Sequence, residues 1–193
     1  MGAPPVIPED RASSKPIPSP LVFADPQPSL TESRHLGGIA LNDPSQGSRV
    51  QVWTCRTDGI SVFIRAPVVA ETILFTGTRI TEVSLAFDQN MRPFVAFMDG
   101  PAARYFWFDT QDNQQKISTL PEGCTSPRCC LDDDRTTQVS NSDIILGYVR
   151  ERSLFYRQQR DRYTVERFLS PSVKSLKSVG MGRNLRLQFE VEP

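Results

Sequence analysis

Residues 86–109 read AFDQNMRPFVAFMDGPAARYFWFD and contain two short apolar runs on either side of a turn. The runs are Phe94–Met98 and Tyr105–Phe108, and the sequence Asp99-Gly100-Pro101 separates them. A break of this kind between two β-prone runs predicts a β-hairpin. This stretch therefore favours a sheet-forming chain.

The same pattern occurs twice more. One pair of runs is Val50–Thr54 with Ile60–Arg65, and the other is Ile144–Val149 with Leu154–Arg157. The first pair is separated by Asp58-Gly59, and the second by a charged Arg150-Glu151-Arg152 sequence. We therefore expect three hairpins.

Matching segments flank each hairpin. A strand-like stub that ends in a polar turn precedes it, and a β-prone run follows it: Glu71–Phe75, Lys116–Leu120 and Tyr163–Phe168. The stubs contain Leu41, Leu85 and Leu131, which are 44 and 46 residues apart. Short antiparallel four-stranded sheets repeated about every 45 residues are typical of β-propeller blades. The sequence thus predicts an all-β fold, propeller-like or sandwich.

A fourth, incomplete unit ends the chain. LRLQFEVE, residues 185–192, alternates apolar and polar side chains as a strand with one buried face does. Gly180 and Gly182 before it predict a turn. Three arrangements are open: the first and last strands complete one another in a small toroid, the strands form a sandwich or barrel, or the unit stacks on other subunits.

The N-terminal region has a different composition. Residues 1–34 contain eight of the sixteen prolines, which excludes helix and leaves few donors for a sheet. It is either a disordered tail or an extended arm that orders on a neighbour, for which Leu21 and Phe23 supply apolar side chains. We divide the chain into a Pro-rich extended arm, residues 1–36, and a β-rich repeat domain, residues 37–193.

Charge and hydropathy limit the partners. The chain has 22 basic and 22 acidic residues, so its net charge of zero gives no reason to expect nucleic acid or an anionic membrane. We find neither a signal peptide nor an apolar window of about 18 residues, and we expect no membrane partner and synthesis in a cytoplasm.

Catalytic and metal-binding patterns are weak. The single His35 has no nucleophile motif near it, and Asp132, Asp133 and Asp134 lack the spacing of a calcium loop. Carboxylate pairs for glycoside cleavage could be drawn from Asp88, Asp99 and Asp109, as they could in many β-rich chains. We expect no enzyme, no catalytic residue and no cofactor.

The four cysteines raise the alternative of a metal site. They are Cys55, Cys124, Cys129 and Cys130, and no Cys-x-x-Cys pair is present. With one histidine in the chain, a zinc site would need three or four of these thiols together. We expect reduced structural thiols and no metal.

Arginine usage is more informative. The chain has 18 Arg and 4 Lys, and residues 150–167 contain six of the arginines and three acidic residues. Arginine with few lysines is typical of protein–protein interfaces, whereas interleaved carboxylates make a nucleic-acid surface less favoured. The expected interface residues are Arg150, Arg152, Arg157, Arg160, Arg162, Leu21 and Phe23.

Four segments carry a resemblance to a known group of proteins: SLAFDQNMRPFVAFMDG, YFWFD, SDIILGYVRERSLFYRQQRDRYTVERFL and VGMGRNLRLQFEV. Over about residues 37–192 the chain resembles a family of virion structural proteins of tailed bacteriophages, encoded with tail genes. The blade-like run is also similar in style to the β-propeller parts of short-tail nozzle proteins. The resemblance brings no catalytic signature with it.

The resemblance implies a structural component of the virion, in the tail or its attachment machinery. Its partners would be other tail or virion proteins and further copies of itself, and its location would be the phage tail after assembly in the host cytoplasm. Two alternatives stay open. One is a host-surface glycan-binding module that uses an exposed Trp53 or Trp107, and the other is a tail-associated glycan-cleaving enzyme.

Overall fold

A computed structural model describes residues 36–41, 50–65, 70–88, 90, 92–132, 143–181 and 187–193, with the backbone alone at 36–41, 50–52 and 181. Fourteen strands account for most of these residues. Their one helical segment is a 3₁₀ turn at Gln159–Asp161. No helix in the described part of the chain is long and apolar enough to cross a bilayer. The predicted all-β class is confirmed.

The strands form four antiparallel sheets in chain order. Sheet 1 contains β1 (Leu36–Leu41), β2 (Val50–Thr57), β3 (Ser61–Arg65) and β4 (Thr72–Thr76). Sheet 2 contains β5 (Ile80–Phe87), β6 (Pro93–Asp99), β7 (Ala102–Asp109) and β8 (Gln114–Thr119). Sheet 3 contains β9 (Thr125–Asp132), β10 (Asp143–Arg150), β11 (Ser153–Gln158) and β12 (Arg167–Pro171). Sheet 4 has two strands among the described residues, β13 (Ser175–Met181) and β14 (Leu187–Glu192).

The three predicted hairpins are confirmed. They are the central pairs β2–β3, β6–β7 and β10–β11 of sheets 1, 2 and 3. At the turn of the second hairpin, Gly100 has φ +62°, a conformation that glycine adopts without steric cost. At the turn of the first, the Asp58 carboxylate accepts hydrogen bonds from the backbone N–H groups of Ile60 at 2.9 Å and Ser61 at 2.7 Å. Local turn chemistry thus places the hairpins.

The repeat is also visible in the packing. Leu85 of β5 packs in the apolar cluster shared with sheet 1, and Leu131 of β9 packs against the cluster shared with sheet 2. In each case the leucine lies in the first strand of its sheet and faces the preceding sheet. Leu41 occupies the last position of β1, the first strand of sheet 1. The leucine spacing therefore marks equivalent strands.

Sheet 2 is buried on both faces because it lies between sheets 1 and 3. Along β6, Val95 and Phe97 pack towards sheet 1, while Phe94 and Ala96 pack towards sheet 3. Phe97 is 1% exposed, and the other three side chains are equally well covered. A strand with two buried faces needs a continuous apolar run rather than an alternating one, which explains the FVAFM sequence.

Sheet 3 is covered on both faces in the same way. Ile144, Leu146 and Tyr148 of β10 face sheet 2, while Ile145 and Val149 face sheet 4. Three apolar clusters therefore join sheet 1 to sheet 2, sheet 2 to sheet 3 and sheet 3 to sheet 4. The described sheets form a stack that follows the order of the chain.

Gly147 of β10 allows sheet 4 to approach closely. A Cβ atom at this position would lie 2.9 Å from Leu176 Cδ2 and 3.2 Å from both Phe189 Cε1 and Val179 Cγ2. All three neighbours belong to sheet 4. A side chain here would occupy space that β13 and β14 fill, so the glycine is required by packing.

Two local predictions were wrong. The run Tyr163–Phe168 does not form one strand, because Tyr163 has φ +59° and β12 begins only at Arg167. The Tyr163 ring instead fills the space between sheets 2 and 3, with its centroid 5.0 Å from that of Phe94 and 5.2 Å from that of Tyr105. Gly180 lies within β13, opposite Gln188, rather than in a turn.

The described strands do not close the stack through β1 and β14. Among the described residues, β1 pairs with β2 and β14 pairs with β13, so neither strand completes the sheet of the other. The small toroid considered from the sequence is not formed in this way. The predicted arm, with Leu21 and Phe23, and the turn residue Gly182 lie outside the described residues.

Candidate interaction surface

The arginine-rich segment 150–167 runs from the end of β10 to the start of β12. Glu166 accepts hydrogen bonds from Arg150 Nη2 at 2.6 Å and from the Tyr148 hydroxyl. Arg157 donates to the Tyr148 hydroxyl at 2.9 Å and to the Tyr163 carbonyl at 2.8 Å. Burial, with the hydrogen bond to Glu166, raises the pKa of Tyr148, so its hydroxyl keeps the proton that it donates. Two predicted interface cations therefore hold sheet 3 together.

Two more of these arginines pair with carboxylates of the same chain. Arg160 bonds to Asp143, at the start of β10. Arg162 bonds to Asp109 of sheet 2 and donates to Gln111 Oε1 at 2.6 Å. The contact between Arg162 and Asp109 crosses from sheet 3 to sheet 2 and joins residues 53 positions apart. Arg160 thus holds the 3₁₀ turn against β10 of the same sheet, and Arg162 joins sheet 3 to sheet 2.

Arg152 differs from the other four arginines. It lies exposed in the β10–β11 hairpin turn with φ +57°, and its carbonyl accepts a hydrogen bond from the Val173 N–H at 2.8 Å. Arg150, Arg157, Arg160 and Arg162 have carboxylate partners within the chain. The surface charge that a partner protein would meet is therefore smaller than the arginine count indicates. An interface at these residues stays a prediction.

The carboxylates considered for glycoside cleavage have structural partners. Asp99 Oδ1 accepts hydrogen bonds from Thr78 N at 3.0 Å and Arg79 N at 2.8 Å, and Asp88 Oδ1 accepts one from Arg92 N at 2.9 Å. Burial by itself raises the pKa of Asp99, but these backbone donors and Thr78 hold it below its ordinary value.

The pKa of Asp109 is also set by two opposing effects. Its burial raises the pKa, while hydrogen bonds from Lys116 and Arg162 outweigh that effect and lower it. A general acid for glycoside cleavage needs a raised pKa. Asp99 and Asp109 are shifted in the opposite direction, so neither fits that role.

The cysteines pack as apolar side chains. Cys129 lies in the cluster between sheets 2 and 3, while Cys130 lies in the cluster between sheets 3 and 4. They point to opposite faces of β9 and so cannot ligate one ion together. Burial raises the pKa of Cys129 to about 12 and that of Cys124 to about 11, which keeps both as thiols. No group of three metal-ligating side chains occurs among the described residues.

The tryptophans support the packing between sheets. Trp107 is 7% exposed, and its indole N–H donates to Ser118 Oγ at 3.0 Å. Trp53 is half-buried against Phe87, with ring centroids 5.4 Å apart. A sugar-binding platform needs an accessible aromatic face, and Trp107 does not provide one. His35 lies outside the described residues.

One cavity lies where sheets 2 and 3 meet. Its lining includes Asp88, Arg92, Trp107, Gln159 and Tyr163, and its volume of about 10 Å³ holds roughly one water molecule. A sugar ring does not fit such a space. This cavity therefore gives no support to a glycan site.

Apolar groups are exposed at the ends and edges of the stack. The outer face of sheet 1 contains Phe63 and, opposite it on β4, Ile73, which is 56% exposed. The Arg56 guanidinium lies 4.1 Å from the centre of the Phe63 ring and bonds to Glu71 at 2.6 Å. At the outer edge of sheet 3, Phe168 is 58% exposed. Sequence reasoning did not identify these positions, because exposure depends on which sheet has a neighbour.

At the other end of the stack, sheet 4 has half the strands of the other sheets. No described residue pairs with β14 along the edge that faces away from β13. Every second N–H and C=O group of such an edge is available to another strand. Together, the outer face of sheet 1 and the edge of β14 form the candidate interaction surface.

Comparison with family models and with curated proteins found no match for this chain.

Proposed function

We propose that this protein is a structural subunit of a tailed-bacteriophage virion, part of the tail or its attachment machinery, that assembles with other tail proteins and with copies of itself. One observation carries the assembly part of the proposal. Among the described residues, the stack ends at sheet 1 on a face that exposes Ile73 beside the Arg56–Phe63 contact, and at the other end on a two-stranded sheet. The assignment to a phage tail rests on the resemblance of residues 37–192.

The geometry supports a subunit of an assembly for a physical reason. Each internal sheet is covered on both faces, whereas sheets 1 and 4 each have a single described neighbour. Repeated copies can bury such ends against one another, so that a modest patch on each copy stabilises the whole. Side chains that could have served catalysis or sugar binding, such as Asp109 and Trp107, are engaged in packing and ion pairs.

The test is incorporation into particles. Deletion of residues 1–34 is expected to leave the β-rich domain folded but to keep the chain out of the particle, because the arm is the segment that contacts neighbours. Folding is measured by circular dichroism and size-exclusion chromatography, and incorporation by immunoblotting of purified particles against the full-length chain.

A double variant, Leu21→Ser with Phe23→Ser, keeps the length of the arm and removes its apolar contacts. We expect it to behave like the deletion. A truncated chain that enters particles at the normal level would show that the arm is dispensable. A chain absent from every purified particle, even at full length, would overturn the proposed function.

A further inference from the structure

We propose that Leu21–Asp25 of a neighbouring copy adds as a β-strand to the open edge of β14 and so extends sheet 4. The inference deepens the proposed function, on which it rests for the presence of several copies. It names both the binding edge and the segment that fills it.

Within the part of the chain that the structure describes, sheet 4 has fewer strands than its neighbours. Sheets 1, 2 and 3 have four described strands each, whereas sheet 4 has two. Its strands are otherwise ordinary members of the stack, since Leu176, Val179 and Phe189 pack on sheet 3. Two-stranded sheets are marginal by themselves, and an exposed edge strand is a template for another chain.

The surface of sheet 3 beside β14 leaves space for a further strand. The ring of Phe189 lies 6.4 Å, between centroids, from that of Tyr156 on β11. Beyond Tyr156, the Arg167 guanidinium of β12 lies 5.7 Å from the centre of the same ring. Tyr156 and Arg167 are half-buried, so the outer part of this face of sheet 3 is incompletely covered. A third strand in sheet 4 would lie above it.

The N-terminal arm contains a segment of suitable length and pattern. Pro20 and Pro26 bound Leu21–Asp25, LVFAD, which has five consecutive backbone N–H groups. Such a segment can form a ladder that the surrounding prolines cannot. Leu21 and Phe23 would lie on one face of the strand, as Leu187 and Phe189 do on β14. The added strand therefore extends the apolar face that packs on sheet 3.

Pairing of β14 with β14 of a second copy is a weaker alternative. It would bring Glu190 and Glu192 of one copy near the same residues of the other, and like charges across a strand pair are unfavourable. These carboxylates already bond within sheet 4, Glu190 to Ser178 at 2.9 Å and Glu192 to Lys174 at 2.6 Å. The segment Leu21–Asp25 adds a single acid.

The position of the arm favours a neighbouring copy over the same chain. The arm leads into β1 of sheet 1, at the opposite end of the stack from sheet 4. Sheets 1 and 4 share none of the three apolar clusters, so sheets 2 and 3 lie between them in the series. The eleven residues from Asp25 to Leu36 span at most about 36–40 Å when fully extended, and a link within one chain would have to pass both intervening sheets.

Head-to-tail stacking of copies removes the need for a long link between the arm and β14 of the same chain. It places sheet 1 of one copy beside sheet 4 of the next, about 10 Å away, and covers the exposed face that contains Phe63 and Ile73. Such a contact is heterologous, so repetition produces a ring or a filament. Both are forms that a tail component can take.

The first test is cross-linking between full-length copies. A Val22→Cys chain and a Gln188→Cys chain, with different affinity tags, are co-expressed and treated with a short bismaleimide reagent. In the proposed strand Val22 would face away from sheet 3, as Gln188 does on β14, and the native thiols are buried and compete little. We expect a cross-linked dimer that contains both tags. A matched pair with Ser13→Cys in place of Val22→Cys is expected to give none.

Two results of this test would overturn the proposal. One is cross-linking confined to single chains in a double variant that carries both cysteines, which would place the arm on its own β14. The other is the absence of any cross-link in either arrangement.

The second test uses hydrogen exchange in the assembled full-length protein. Val22→Pro removes an N–H group and the extended pairing, so amides in residues 187–193 are expected to exchange about tenfold faster or more. Ser13→Pro, outside the segment, should leave them unchanged. Equal exchange in Val22→Pro and the parent chain means that no strand was added.

These outcomes are separable from the proposed function. A protein found in particles without protection of β14 loses the strand addition alone, whereas protection and cross-linking in a protein that never enters particles overturn the virion role alone.

Discussion

The replacement Gly147→Val tests the packing of sheet 4 on sheet 3. A Cβ atom at position 147 would lie 2.9 Å from Leu176 Cδ2 and 3.2 Å from atoms of Phe189 and Val179, which is shorter than the ordinary contact range of 3.4–4 Å. Valine adds two further methyl groups to this space. Overpacking of this kind costs about 1–3 kcal/mol. The higher strand propensity of valine returns up to about 1 kcal/mol, so we expect a net loss of about 1–2 kcal/mol in the free energy of unfolding.

The loss should be concentrated in one sheet. Sheet 4 lies at the end of the stack and can separate without disturbing sheets 1 and 2, so its amides should lose protection first. The assay is urea unfolding combined with hydrogen exchange of residues 175–181 and 187–192. Thr119→Val, on the exposed edge strand β8, serves as a control that should stay within about 0.5 kcal/mol of the parent. Parental stability and parental exchange of sheet 4 in Gly147→Val would show that sheet 4 does not cover this glycine.

Two further predictions concern the core and the charges of sheet 4. Phe97→Ala, at a side chain 1% exposed between sheets 1 and 2, should lower the free energy of unfolding in urea by about 3–5 kcal/mol. Phe168→Ala, at a side chain 58% exposed, should change it by less than about 0.5 kcal/mol. Equal losses in the two variants would contradict the sheet order. Hydrogen bonds from Lys174, directly before β13, and from Lys177 and Ser175 of β13 lower the pKa of Glu192 to about 2 from an ordinary value of 4.5. Because the pKa of Glu192 is lower in the folded state than in the unfolded state, the ionised carboxylate stabilises the fold fully above about pH 4.5. This contribution is lost as the pH falls towards 2. Protection of sheet 4 from hydrogen exchange should therefore fall over that range in the parent chain and less in Glu192→Gln, and equal pH dependence in both would show that Glu192 does not stabilise the sheet.

The strands and hairpins could be predicted because their signals are local. Turn residues such as Asp58 and Gly100 act within a few positions, and the apolar run of β6 follows from burial on both faces. The spacing of Leu85 and Leu131 predicted the repeat because the two residues face the preceding sheet in the same way. Each of these features can be identified without knowing where the sheets lie in space.

The features that sequence reasoning missed depend on contacts between sheets. Tyr163 is followed by Thr164 and Val165, which have good strand propensity, yet its ring is worth more in the apolar space between sheets 2 and 3 than in a ladder. Arg162 finds its carboxylate, Asp109, 53 positions away. Residue type alone does not tell whether the partner of an arginine lies in its own chain or in another one. For that reason the arginine-rich segment read as an interface is, for five of its six arginines, largely an internal network.

The most direct measurement is a cryo-EM map of the assembled particle at side-chain resolution. We expect adjacent copies to meet with sheet 1 of one beside sheet 4 of the next, and continuous density for a third strand to run along Leu187–Glu192. A map in which this edge faces solvent in every copy, or in which the protein stands alone without a neighbouring subunit, would contradict the head-to-tail arrangement.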